Sequence, residues 1–300
     1  MSDGIGISTP AGGAPDPADS PGTSDGSAVR LRLPAVPENV ALVRQALGGF
    51  AEHLGLTAAR IADMKIAVTE ACTNAVIHAY GEEGGPLEVS IGRDPGRIVL
   101  TVRDRGHGLR PLPSLSEGPP FGFGLALIAS LSDEFGIAGG QHGTEVRIGF
   151  AVGNGASAPP PLTVQVAPDE PWPPNETVLA LAPGDHAAPV LGRVVALIAA
   201  RADFSIDRLS DAQIVSDSIA GAASRHTLDG TVQIAIDEHD EGFDLIVGPL
   251  ARGGGRRLIE DSELPGLGRL LERLTDGLEI EALSVDGAGE RLRATLRGRA

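Results

Sequence analysis

The stretch Glu70-Ala71-Cys72-Thr73-Asn74-Ala75-Val76-Ile77-His78-Ala79-Tyr80 decides how the first half of this chain is read. Its small and apolar members continue the spacing of Ile61, Met64 and Val68, so residues 57–79 predict one amphipathic helix with Thr57 as its N-cap. Glu70 and Asn74 stand one turn apart on it, about 6 Å along the axis, as neighbours on one face. A carboxylate and an amide so placed can serve one site or can be solvated polar positions. The apolar face already fixes how the helix is buried and sets the pair at the edge of the core. Cys72, between them, reads as a small buried hydrophobe rather than a nucleophile.

Outward from this helix the elements alternate. Residues 29–33 form a short strand, and Val40, Val43, Leu47, Phe50 and Leu54 recur at helical spacing after Pro37. Leu87, Val89 and Ile91 alternate with polar residues, and residues 97–103 form their partner strand across Asp94-Pro95-Gly96. Residues 124–135 read as a helix and residues 144–150 as a last strand. Hairpin strands with helices on one face imply an α+β sandwich with a mixed or antiparallel sheet, not a doubly wound parallel one.

The 300 residues allow two domains, and aromatic side chains at 3% leave the core to Val, Leu, Ile and Ala. A net charge of −16 argues against a nucleic-acid partner, which needs a basic surface. One cysteine fits a reducing compartment, and no signal-peptide pattern or membrane-length apolar run is present, so a soluble cytoplasmic protein is expected. Residues 1–28, rich in Gly, Pro, Ser, Ala and Asp, are expected to be a disordered tail, and residues 153–176 a Pro-rich linker. Two domains follow, 29–152 and 177–300.

The second domain repeats the first. VRLRL of residues 29–33 answers to TVLAL of residues 177–181, and RIADMKIAVTEACTNAVIHAY to RLSDAQIVSDSIAGAASRHTL, which sets Arg60 against Arg208 and Asp63 against Asp211. GRIVLTVRD matches EGFDLIVGP, and GFGLALIASLSDEFGI matches GLGRLLERLTDGLEIE. Order, spacing and the repeated Gly-x-Gly favour an internal duplication over shared aliphatic periodicity.

Three further segments of the first half carry chemistry. A strand runs into Asp104-Arg105-Gly106-His107-Gly108, which holds a carboxylate beside a backbone that a ligand can approach closely. After a segment rich in helix breakers, residues 109–121, Gly122-Phe123-Gly124-Leu125 opens a helix whose free N–H groups suit phosphate. Gly143-Thr144 begins the final strand. Taken alone, each Gly-x-Gly is explained by a simple turn. His78 reads as a hydrogen-bonded helix-end histidine and Arg105 as a solvated or phosphate-facing strand-end residue.

Together, and in this order, the motifs over residues 29–150 resemble the Bergerat-type (GHKL) ATPase domain, and EACTNAVIHAY closely resembles the N-box of anti-sigma-factor serine kinases. The resemblance implies ATP and Mg²⁺ as cofactors, with Asn74 holding Mg²⁺, Asp104 and Thr144 meeting adenine, and Gly106 and Gly108 shaping its pocket. Gly122 and Gly124 would line the phosphates beneath a mobile lid, and Glu70 would be the general base. It further implies a kinase that sequesters a sigma factor and phosphorylates a serine on a STAS-domain anti-anti-sigma protein. The alternative is a nucleotide-binding switch that holds a partner without phosphoryl transfer.

In the second half Ser218, Ala222 and Pro249 stand opposite Glu70, Asn74 and Asp104, while Gly266 and Gly268 survive. That half is expected to be a degenerate, catalytically silent copy. Since kinases of this type act as dimers, it would replace a second subunit in an intramolecular pseudo-dimer, the other possibility being a homodimer. The run 237–241 is expected to be a solvated acidic turn and 253–257 a flexible loop.

Overall fold

The computed structural model describes residues 27–81, 84–108, 122–140, 143–152, 176–228, 230–283 and 289–298. The expected tail up to Gly26, the linker up to Asn175 and the lid segment 109–121 lie outside the described residues. The first half runs β1 (Ser27–Pro34), α1 (Pro37–His53), α2 (Ala58–His78), β2 (Pro86–Asp94), β3 (Arg97–Asp104), α3 (Gly122–Leu131), β4 (Glu134–Gly140) and β5 (Gly143–Ala151). The second runs β6 (Thr177–Leu181), α4 (Ala187–Arg201), α5 (Ile206–Ala222), β7 (Val232–His239), β8 (Gly242–Ala251), α6 (Gly254–Asp261), β9 (Glu263–Leu264), β10 (Gly268–Arg269), α7 (Leu270–Leu274), β11 (Gly277–Ala282) and β12 (Gly289–Arg297). Apart from a 3-10 turn at Ala223–Arg225 and the insertion of α6 and the short β9–β10 hairpin, one order of elements occurs twice.

Ten strands form one antiparallel sheet in the order β11-β12-β8-β7-β6-β1-β2-β3-β5-β4. On one face the row of Leu31, Val89, Leu100 and Ile148 continues across β1 and β6 into Leu179, Ile234, Leu245 and Leu292 of the other half, all buried in one core under α1, α2, α4 and α5. The opposite face is charged. Arg32 bonds Glu88 at 3.0 Å, Arg103 bridges Glu88 and Glu145, and Arg293 links Asp244 at 2.6 Å to Glu281 at 3.2 Å. The α+β sandwich expected from the sequence is the one observed. Among the described residues no helix is long and apolar enough to cross a membrane.

The halves meet at β1 and β6. Leu31 pairs with Leu179, the residue that stands opposite it in the internal comparison, and Val29 pairs with Leu181. A strand that pairs antiparallel with its own counterpart, centred on equivalent residues, is the geometry of an isologous contact. Beneath it α1 crosses α4 so closely that a Cβ on Gly49 would come within 2.5 Å of the Pro189 carbonyl oxygen. The ring of His186, whose Nε2 lies 3.1 Å from the Ala28 carbonyl oxygen, packs edge-on against Phe50.

The clasps that close each half repeat as well. Thr57 Oγ1 accepts from the Arg60 N–H at 3.3 Å, and Ser205 Oγ accepts from the Arg208 N–H at 3.3 Å. Arg60 then reaches Asp133, whose Oδ2 accepts from the Ala151 N–H at 2.7 Å, while Arg208 reaches Asp276, whose Oδ2 accepts from the Arg297 N–H at 2.8 Å.

Two expectations need correction. The helix expected over 124–135 ends at Leu131, and Phe135 lies in the edge strand β4, which has no counterpart in the expected order. Asp133 turns the chain there because its carboxylate is held by Arg60 and Ala151, both distant in sequence. The loop expected over 253–257 is instead the start of α6, with only Gly253 in the left-handed conformation before it (φ 72°).

Candidate functional site

Thr57 starts α2 in the register that carries Glu70 and Asn74 to its solvent edge, where both are half-buried. Among the described residues neither side chain has a hydrogen-bond partner, so both polar groups are available to a ligand. The first turn of α3 lies directly against Glu70, and a Cβ on Gly124 would overlap its Oε1. Gly124 therefore has to be glycine for α3 to approach, and the helix start opened by Gly122 is brought to the Glu70 carboxylate.

Asp104 ends β3 and is buried. Its Oδ1 accepts from the backbone N–H of Gly106 at 3.0 Å and of Thr144 at 3.2 Å, and the Thr144 hydroxyl also bonds the carboxylate. Burial pushes the carboxyl above the ordinary carboxylate range, and these three hydrogen bonds only partly offset it. A carboxylate kept dry at a strand end, with its orientation fixed by two backbone donors, is arranged to accept from an uncharged N–H donor.

The loop after Asp104 is pinned to the end of α2. The Ala79 carbonyl accepts from the His107 N–H at 3.0 Å, and a Cβ on Gly106 would overlap that carbonyl. Gly108 adopts φ 71° against the Gly140 carbonyl. Both glycines thus let backbone meet backbone within the protein, which keeps the loop tight around Asp104.

Tyr80 holds this arrangement and is the functional residue to which the motif reading gave no role. Its hydroxyl donates to the Pro86 carbonyl and accepts from the Arg105 N–H at 2.6 Å. Burial pushes the phenol up to about 12. As the only tyrosine of the chain, placed next to the Glu70 motif, it carried a signal that composition alone could have raised. Cys72 is fully buried and burial pushes its thiol up to about 12, so it is inert packing. His78 is exposed and, contrary to expectation, has no hydrogen bond among the described residues.

The structure thus brings together Gly124 with Glu70, and Asp104 with Gly106 and Thr144, while Asn74 stands one turn beyond Glu70 on α2 and Gly122 opens α3. The second half treats the corresponding space differently. Ser218 turns its hydroxyl back to the Ile214 carbonyl at 2.9 Å, and α6 packs among α5, β8, β12 and α7 with Leu258 fully buried. Glu290, which follows Gly289 as Thr144 follows Gly143, accepts from the Gly255 N–H at 2.6 Å and so caps α6. The turn expected over 237–241 is narrower: Asp237, Glu238 and His239 end β7, and only Asp240 and Glu241 turn the chain into β8, all five exposed.

The family of the histidine kinase-like ATPase domain matches residues 33–150. The serine-protein kinase RsbW of Oceanobacillus iheyensis is 35% identical over 136 residues, which is 40% of this chain and 84% of that protein. The serine-protein kinase RsbW of Bacillus subtilis is 37% identical over 122 residues, 35% of this chain and 74% of that protein. Among solved structures, the RsbU and RsbW domains of a Mycobacterium tuberculosis protein align at 26% identity and TM-score 0.33, over 41% of this chain and 31% of that one.

Proposed function

The chain belongs to the family of RsbW serine-protein kinases, and from that premise we propose that its first half binds ATP with Mg²⁺ and transfers the terminal phosphoryl group to a serine of a partner protein. The observation that carries the reading is the contact between Glu70 and the first turn of α3, which sets a carboxylate with no hydrogen-bond partner among the described residues at a helix start suited to phosphate. Asp104 and Thr144 meet the adenine amino group, within the loop shaped by Gly106 and Gly108, and Gly122 and Gly124 offer N–H groups to the phosphates. Asn74, half-buried on α2 and without a hydrogen-bond partner among the described residues, would hold Mg²⁺, which would offset charge on the phosphates. One side chain suffices, since Mg²⁺ in such sites takes most of its ligands from phosphate and water.

Glu70 accepts the proton of the serine hydroxyl as its oxygen bonds to the γ-phosphorus, and the bond to the β-bridging oxygen breaks to release ADP. The activity places the protein in the cytoplasm, where it sequesters a sigma factor and phosphorylates a STAS-domain anti-anti-sigma protein. The second domain, 177–300, is a degenerate copy of 29–152 with the linker 153–176 between them. It supports the first across β1 and β6 as a built-in partner, making an intramolecular pseudo-dimer.

Incubation of the full chain with Mg²⁺, labelled ATP and purified STAS-domain proteins tests the reading. The wild type is expected to label a serine, Glu70→Gln to bind nucleotide without transfer, and Asn74→Ala to lose the Mg²⁺ dependence of binding. If the wild type binds nucleotide and labels no protein, kinase chemistry gives way to a nucleotide-dependent binding switch.

A further inference from the structure

The face beside Glu70 differs between the halves in a way that the nucleotide chemistry does not require. α3 and α2 run side by side, with Gly124 against Glu70 at one end and Asp133 against Arg60 at the other. Between these two contacts α3 carries no charged residue, and Ala126, Leu127, Ala129 and Ser130 are exposed. Leu127 is 41% exposed, and Ile66, one turn before Glu70 on α2, is 47% exposed. In a chain of net charge −16, this uncharged outer side of α3 starts beside the catalytic carboxylate and leads away from it, while α2 carries the charged, half-buried Asp63 between Arg60 and Ile66.

The second half supplies the control. Ser132 Oγ accepts no part in the strip but bonds back to the Ile128 carbonyl at 2.9 Å, and Thr275 Oγ1 bonds back to the Leu271 carbonyl at 2.7 Å, with Ile128 and Leu271 both fully buried. That match corrects the register of the sequence comparison, which set Gly122 opposite Gly266, by one residue, and it sets Ala126, Ala129 and Ser130 opposite Arg269, Glu272 and Arg273. The two halves share the buried side of this helix, whereas the outer side is charged where no chemistry occurs and uncharged where Glu70 lies. Exposed helix positions ordinarily carry charge, so its removal next to one site points to a surface that is covered during the reaction.

We infer that the outer side of α3 in the first half, with Ile66 beside it, is the docking surface for the phosphate-accepting protein, a folded domain that presents its serine hydroxyl to Glu70 from an apolar, uncharged face. This rests on the kinase reading above for the identity of the partner. A charge introduced at the strip would be desolvated without a partner on docking and so weakens association, while the nucleotide site, one turn away, is left intact.

The test moves the second half's charges onto the first. The variant Ala129→Glu/Ser130→Arg and the reciprocal Glu272→Ala/Arg273→Ser are compared with wild type in the full chain, each with ADP and Mg²⁺ bound. Affinity for a purified STAS-domain protein, affinity for ADP and phosphoryl transfer are measured. The first variant is expected to bind the protein at least tenfold more weakly, with ADP affinity and thermal stability unchanged, and the reciprocal variant is expected to match wild type. Unchanged protein affinity in the first variant, or an equal loss in the reciprocal one, overturns the proposal. If the wild type binds the STAS protein without phosphorylating it and the first variant weakens that binding, the kinase reading falls and the surface stands. If transfer persists with full affinity in the first variant, the surface falls and the kinase stands. Failure of the wild type to bind any STAS-domain protein overturns the surface as drawn.

Discussion

Arg60 and Arg208 make one clasp in two surroundings. Each caps its own helix start through Thr57 or Ser205, reaches an aspartate ahead of an edge strand and ties the last strand of its half to the helix layer. The Arg60 side chain is 25% exposed and the Arg208 side chain 5%, with two carbonyl oxygens, of Leu274 and Arg297, added to its partners. The same division holds at the candidate site. The first half leaves Glu70 and Asn74 with no hydrogen-bond partner among the described residues, whereas the second satisfies Ser218 within its own helix and fills the corresponding space with α6. One half keeps polar groups available, as the proposed chemistry requires, and the other has closed its structure on itself.

The largest expected effect breaks the comparison at its chemical end. Glu70→Gln is expected to lower phosphoryl transfer by about 10²- to 10⁴-fold with nucleotide affinity kept, while Ser218→Ala changes neither, as single-turnover transfer assays would read. Next comes the clasp. Asp276→Ala strips a buried guanidinium of its main charge partner and is expected to cost about 3 kcal/mol, whereas Asp133→Ala, at an exposed pair, costs about 0–1 kcal/mol. Urea unfolding of the full chain separates the two values. At the junction, Gly49→Ala forces a Cβ against the Pro189 backbone and is expected to cost about 1–3 kcal/mol by overpacking, visible as a lower denaturant midpoint.

The smallest effect has the opposite sign. Asp104 is raised above the ordinary carboxylate range, so its ionised form burdens the folded state. That burden is absent below the ordinary range and grows as pH rises through it toward the raised value. Asp104→Asn keeps an acceptor for Gly106 and Thr144 and removes the charge. It is therefore expected to stabilise the nucleotide-free protein slightly at neutral pH, with no gain in acid, while weakening ATP binding. Thermal melts at several pH values together with nucleotide titration check both.

Much of this was legible because its causes are local. Thr57 and Pro37 mark helix starts by their own chemistry, and the alternation of Leu87, Val89 and Ile91 gives β2. The order of elements in the second half followed from the same signals. What escaped depends on distant contacts. No glycine or proline separates Leu131 from Glu134, and the end of α3 is set by Arg60 and Ala151 acting on Asp133. Likewise α6 begins in three glycines, poor helix formers, and is held by Glu290 thirty-five residues on and by burial of Leu258. In the site, spacing placed Glu70 beside Asn74, but nothing local could show that Gly124 would lie against Glu70 or that Tyr80 would hold the Asp104 loop.

The central claim is that nucleotide chemistry belongs to one half alone. Calorimetric titration of the full chain with a non-hydrolysable ATP analogue and Mg²⁺ tests it most directly. One nucleotide per chain, lost in Asp104→Ala, is the predicted result. Two per chain, or binding that survives Asp104→Ala, would contradict it.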